Sequence, residues 1–375
     1  MAAAFLMVAC QEQQPQSQLT VSGLDPELFE DSVAGTKLVT LKNEAGMEVC
    51  VTNFGGRVVS VVVPDKDGNM LDVVLGYDNV ANYMDKEGHA SDFGAAIGRY
   101  ANRIDQGLIT LDGETIQLPQ NNFGHCLHGG PDGWQYRVYE IMEQTADKVV
   151  LQLVSPDGDM SFPGEVTAQV TYTLTEDNAL DICYEATTLA PTFINMTNHS
   201  YFNLNGDPTQ PITNHELYVN ADTYTPVDST FMTTGEIAPV EGTPMDFREA
   251  HAIEQDVTNF DFEQVKNGNG FDHNWCLNTM GNDTEVAASI YCPATGILME
   301  VFTDEPGVQV YTGNFLDGTL SGKKGVVYEQ HAAVCLETQK YPDTPNKSNL
   351  PGWPSALLTP GEVYSSHCAY KFSVK

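Results

Sequence analysis

The stretch Asn198-His199-Ser200-Tyr201-Phe202-Asn203-Leu204 sets a titratable imidazole among hydroxyl, amide and aromatic side chains. Such a palette holds a small polyhydroxylated molecule, with hydrogen bonds to its hydroxyls and ring faces against its apolar surface. A histidine placed there can give or take a proton near neutrality, because its unperturbed pKa is about 6.5. These residue types suggest a sugar site. Taken alone, the heptapeptide is equally compatible with a structural histidine satisfied within a strand.

Five further polar, aromatic-studded patches interrupt the apolar runs. They are Gly98-Arg99-Tyr100-Ala101-Asn102-Arg103-Ile104, His125-Cys126-Leu127-His128-Gly129-Gly130, Gly270-Phe271-Asp272-His273-Asn274, the run from Glu305-Pro306-Gly307 through Gln309 to Phe315, and Leu336-Glu337-Thr338-Gln339. In this order and spacing, the six patches resemble the aldose 1-epimerase (galactose mutarotase) family, from about Leu38 to the C-terminus. The resemblance implies a large antiparallel β-sandwich that interconverts the α and β anomers of free aldoses such as galactose and glucose, without a metal or organic cofactor. It implies His199 as the general acid toward the ring oxygen and Glu337 as the general base toward the C1 hydroxyl. It further implies that Asn102, Arg103, His128, Asp272 and Gln309 hold the sugar hydroxyls.

The chemistry calls for those types on its own terms. Opening a hemiacetal removes a proton from the anomeric hydroxyl and delivers one to the ring oxygen, so an acid and a base must straddle the C1–O5 edge. Rotation about C1–C2 and reclosure with the transfers reversed then give the other anomer. A carboxylate with an ordinary pKa of about 4.3 is ionised at neutral pH and ready to accept a proton. A histidine acid must be protonated, which a nearby carboxylate favours.

Each assignment has a structural alternative. Glu337 ends the apolar run Ala332-Ala333-Val334-Cys335-Leu336, so it either faces a cleft or is paired. Arg103 could be an ion-pair residue, Gln309 a cross-strand amide, and Trp134 and Trp275 core, while Arg99 reads as structural. His125, Cys126 and His128 invite a metal, but no third convergent partner is evident nearby, and no metal site is expected. No G-x-S-x-G, P-loop or dinucleotide glycine fingerprint is present. Three rivals remain: a hexose-phosphate epimerase, a sugar-binding lipoprotein without catalysis, and a glycosidase using Glu337 with Asp272.

Of 375 residues, 17 are basic and 51 acidic, a formal net charge of −34. That field repels phosphate backbones and anionic lipids, so nucleic acid is not an expected partner and a neutral monosaccharide is. The acidic surface could carry an incidental cation such as calcium. Oligomeric state is not legible, and a monomer is the expectation. The eight cysteines are spread singly, without C-x-x-C, and those in strand-like apolar runs, among them Cys183 and Cys335, read as buried core thiols.

The elements that must position these groups are strands. Val166 to Leu174 alternates apolar residues with Thr and Gln, and after a turn at Glu176-Asp177-Asn178 the apolar phase resumes at Leu180, Ile182 and Tyr184. Hairpins are expected across Pro64 to Asn69 and across Asp112-Gly113, and short helices only near 79–86 and 248–253. Many short strands and tight turns predict an all-β, antiparallel β-sandwich, one domain over residues 21–375. Residues 1–20 differ: an apolar run ends at Cys10 and a Gln/Pro/Ser-rich tether follows, resembling a bacterial lipoprotein signal that lacks its basic start. The expectation is a cell-envelope or periplasmic protein lipid-anchored at Cys10, or a cytoplasmic one if that signal reading is wrong.

Overall fold

The computed structural model describes residues 18–32, 34–88 and 91–375. Cys10 and residues 11–17 of the tether lie outside them. The largest element is a nine-stranded antiparallel sheet. Its strand order is Glu140–Gln144, Lys148–Ser155, Val166–Leu174, Ala179–Thr188, Tyr364–Val374, Ile297–Thr303, Ala288–Tyr291, Glu216–Val219 and His251–Ala252. The predicted meander supplies its third and fourth strands, and Val166, Ala168, Val170, Tyr172 and Leu174 point inward as their alternation requires.

Opposite this sheet lie a five-stranded sheet (Ala238–Pro239, Thr223–Thr225, Asp272–Cys276, Gly307–Tyr311, Cys335–Gln339) and a four-stranded one (Leu38–Lys42, Glu48–Thr52, Arg57–Pro64, Met70–Asp72). One apolar cluster joins them, with Val170, Tyr172 and Tyr184 from the large sheet, Val308, Val310 and Leu336 from the second, and Val49 and Val61 from the third. Tyrosines carry hydrogen bonds across this core: the Tyr172 hydroxyl donates to Gly56 O and that of Tyr370 to Leu336 O. Trp134 and Trp275 are wholly in the core. The arrangement is an all-β sandwich with three short helices among the described residues.

The heptapeptide is the seam between the sheets. Thr197–His199 pairs with Ala95–Ile97, and Phe202 then bridges Val74 after the four-stranded sheet to Val334 before the last strand of the five-stranded one. Its backbone hydrogen bonds are therefore shared among three elements.

Several expectations hold in detail. The Asp112-Gly113 turn closes the hairpin of Leu108–Leu111 with Glu114–Gln117, with both residues at positive φ. Asn79 caps the helix Val80–Met84 through its side chain. Residues 248–253 differ: His251 and Ala252 pair with Leu217 and Glu216 at the sheet edge, so the backbone is extended until a 3₁₀ turn at Ile253–Gln255. The helices Glu263–Gly268 and Thr344–Lys347 carry too little periodicity to be read from sequence. Cys183 also differs, because Ile182 and Tyr184 take the inward phase and leave it exposed; Cys50, Cys126, Cys276, Cys292, Cys335 and Cys368 are buried free thiols.

Gly94 fixes the seam. At φ +68 its N–H donates to His199 O, and its carbonyl accepts from Val58 N and the Asn198 side chain. A Cβ there would lie 1.9 Å from Val58 O, against backbone that cannot move aside. Gly94→Ala is expected to destabilise the protein by at least ~2 kcal/mol, read as a lowered denaturant midpoint with an unchanged slope.

Candidate active site

Three strands of the five-stranded sheet are buried on both faces. On one face of them His273, Trp275, Val308, Val310 and Leu336 are buried in or beside the core. The other face presents Asp272, Tyr311 and Glu337 to a cleft. Register places Glu337 opposite Gln309, and Tyr311 opposite both Asp272 and Cys335. Asp272 and Glu337 are thereby held on one surface by backbone pairing rather than by loops.

His199 enters from the seam. Its Nε2 lies 3.6 Å from Glu337 Oε2, with both side chains almost fully buried. The His199 ring stacks on Tyr201 at 5.0 Å and meets the edge of His128 at 5.2 Å, so its plane is fixed from two sides. His199 Nδ1 and Glu337 Oε2 have no hydrogen-bond partner in the protein.

Arg103 and His128 arrive together because Arg103–Ile104 pairs with Cys126–Leu127. Asn102 and His128, both at positive φ, then bond reciprocally: Asn102 N–H donates to His128 Nδ1, and His128 N–H donates to Asn102 O. An Nδ1 that accepts leaves the hydrogen of the neutral ring on Nε2, the nitrogen free to meet a ligand. The Asn102 Oδ1 accepts from Arg103 N–H. Arg103 donates to Asn122, stacks over Phe231 and faces Asp272 at 4.0 Å.

A cleft of about 420 Å³ opens between these groups, lined by Asn102, Arg103, His128, His199, Asp272 and Glu337. Gln309 stands beside Asp272: its Nε2 donates to Asp272 Oδ1 at 2.7 Å, and its Oε1 has no protein partner. Asp92, Phe93, Phe123 and Leu316 line the cleft without having been singled out, and nothing in their local sequence distinguishes them. Arg99 is structural as expected, donating to Pro163 O, Gly164 O and the Ser155 hydroxyl. His125 lies apart, accepting from Gln106 N–H and meeting Asp105 and Thr230.

Burial sets the electrostatics. It holds His199 down to about 3, with the neighbouring His128 adding to the effect, and holds His128 down to about 3 with help from Arg103. The Glu337 carboxyl is pushed well above its ordinary range by burial and by Asp272 and Asp92. Asp272 is raised by burial, against the pull of Arg103 and Gln309. The ordinary values expected from sequence, an ionised Glu337 and a protonated His199, are thus displaced in the protein alone. The 3.6 Å approach favours the charged forms of both groups, while burial favours a neutral imidazole and a neutral carboxyl. The donor atoms of His128, His199 and Glu337 also lie within 4.8 Å of one another, a set whose types suit a divalent cation as well as proton transfer.

The comparisons with known proteins agree with this geometry. The family model described as aldose 1-epimerase matches residues 37–371. Human galactose mutarotase is 42% identical over 328 residues, covering 88% of this chain and 92% of its own. The aldose 1-epimerase of Escherichia coli K12 is 39% identical over 337 residues, covering 90% and 95%. Among solved structures, an aldose epimerase homologue from C. elegans superposes with a TM-score of 0.82 at 29% identity, covering 90% of this chain and 99% of that one. A galactose 1-epimerase from Lactobacillus acidophilus superposes at 0.78 and 28% identity, covering 92% and 96%. With a family model matched over nearly the whole chain and relatives at about 40% identity, this chain belongs to the aldose 1-epimerase family.

Proposed function

We propose that this protein interconverts the α and β anomers of free aldoses such as galactose and glucose, with His199 and Glu337 as the proton-transfer pair. The observation that carries this reading is the buried approach of His199 Nε2 to Glu337 Oε2 at 3.6 Å on the wall of a cleft of sugar size. One group gives a proton to the ring oxygen while the other takes one from the C1 hydroxyl; the ring opens, C1–C2 rotates, and the reversed transfers close it. No proton is gained or lost over the cycle.

The neutral pair becomes the working one when sugar enters. A C1 hydroxyl that donates to the Glu337 carboxyl stabilises its anion, so the shared proton moves to His199, which then faces the ring oxygen as the acid. Arg103, His128 and Asp272 present donors and acceptors for the remaining hydroxyls, Asn102 holds His128 and Arg103 in place, and Gln309 orients Asp272. Among the described residues Arg103 is the one Lys or Arg on the wall, and it already faces Asp272, which favours a neutral sugar over a phosphorylated one.

Polarimetry of freshly dissolved α-D-galactose and α-D-glucose tests the reading. The parent protein is expected to accelerate mutarotation over buffer, and His199→Ala and Glu337→Gln each to lose about 10²–10⁴-fold in kcat. A parent that binds either sugar yet matches buffer on both would make the protein a sugar binder. Exhaustive chelation is expected to leave the rate unchanged; loss restored by a divalent cation would turn His128, His199 and Glu337 into a metal site. The pH profile follows from the pair. A second proton adds only where the depressed His199 accepts it, so the acid limb of kcat/KM is expected well below pH 6.5, and the alkaline limb follows the raised Glu337.

A further inference from the structure

The sheet face that carries Glu337 continues behind the cleft as a row of buried polar side chains. Register sets Thr225 opposite Asn274, Asn274 opposite Gln309, and Gln309 opposite Glu337. Gln339 stands two residues beyond Glu337 on the same face. All five are at most 3% exposed. The Thr225 hydroxyl, both polar atoms of Asn274, Gln309 Oε1, Glu337 Oε2 and both polar atoms of Gln339 have no protein partner. Gly307, which faces Gln339, supplies the room: a Cβ there would sit 2.4 Å from Asn274 Oδ1, so the Asn274 amide occupies the place of the missing side chain. Of the five, only Glu337 lines the sugar cleft.

Besides Glu337 Oε2, which faces His199, six unpartnered polar atoms on one contiguous buried surface are far more than native interiors leave unsatisfied, and groups so placed are held by ordered water. We propose that Asn274 and Gln339 are positioning residues for Glu337, holding, with Thr225 and Gln309, a file of ordered waters against its carboxyl from behind the sugar cleft. The inference rests on the proton-transfer role of Glu337. Water bound there hydrates the carboxylate anion, which raises the share of the pair's single proton that sits on His199. The other groups facing Glu337 are Arg103, Asp272 and Asp92 as charges, and His199, His128, Tyr201, Tyr311, Cys335 and Tyr370 as titratable neighbours. None of them is altered by substitution at Asn274 or Gln339, so a change in the titration of the pair reports the hydrated row.

The test compares Asn274→Leu, Gln339→Met and the polar Asn274→Ser with the parent. In the apolar variants the plateau kcat for galactose is expected to fall about tenfold at unchanged KM. Their alkaline limb is expected to move up by about one pH unit, a tenfold rise in proton affinity, because the dehydrated carboxyl holds its proton more tightly. Asn274→Ser is expected to keep the parent's limb. A fall in kcat with the limb unmoved, or a parent-like profile in the apolar variants, overturns the inference. Should the parent itself fail to accelerate mutarotation, the function fails instead. The row is then judged by a high-resolution crystal structure of the parent, where water bridging Asn274, Gln339 and Glu337 is expected and its absence overturns the inference independently of activity.

Discussion

Everything in the site depends on keeping two ionisable groups in contact inside a medium that penalises charge. His199 and Glu337 approach to 3.6 Å with almost no exposure, so neither can hold its charge cheaply. A protein that needs both an acid and a base at one bond gains from this constraint. The cost of separating one proton from the pair is what keeps the proton between them, ready for whichever oxygen a bound sugar presents. Solvent exposure would give each group its ordinary pKa and dissolve the coupling.

The fold supplies the constraint through backbone register. Glu337 and Asp272 sit on strands whose pairing fixes their relative height, and a slip of one residue would turn Leu336 or Thr338 into the cleft in place of Glu337. His199 hangs on a segment whose N–H and C=O groups bond to three different elements, with Gly94 pressed against both Val58 and His199. Such placement on strands holds geometry more tightly than loops do, as a hemiacetal requires when both its oxygens must be met at once.

Much of this was legible in the sequence, for reasons that differ by element. Val166 to Leu174 could be read because its other face stays partly exposed, so its alternation survives in the residue types. The strands at 272–276, 307–311 and 335–339 are buried on both sides, and polar residues there face a cleft or a hydrated row rather than solvent. No alternation marks them, and they were recognised only through the patches they carry. That Gln309 donates to Asp272 depends on side-chain direction and not on spacing. The displaced ionisation of His199 and Glu337 depends on how much protein surrounds them, which no local stretch encodes. The extended backbone at 248–253 was decided by its pairing with Glu216 and Leu217, a contact some thirty-five residues distant that overrides local propensity.

The sharing of the His199 segment among three elements also bears on how the chain folds. Its partners lie near residues 74, 95 and 334, so the segment cannot take its final course until contacts separated by well over a hundred residues have closed. A hairpin or a meander can form early from local pairings, but the acid and the base meet only when the most distant of them is made. Catalytic power in this architecture therefore belongs to long-range closure: without the pairing near residue 334 the acid and the base are not brought together.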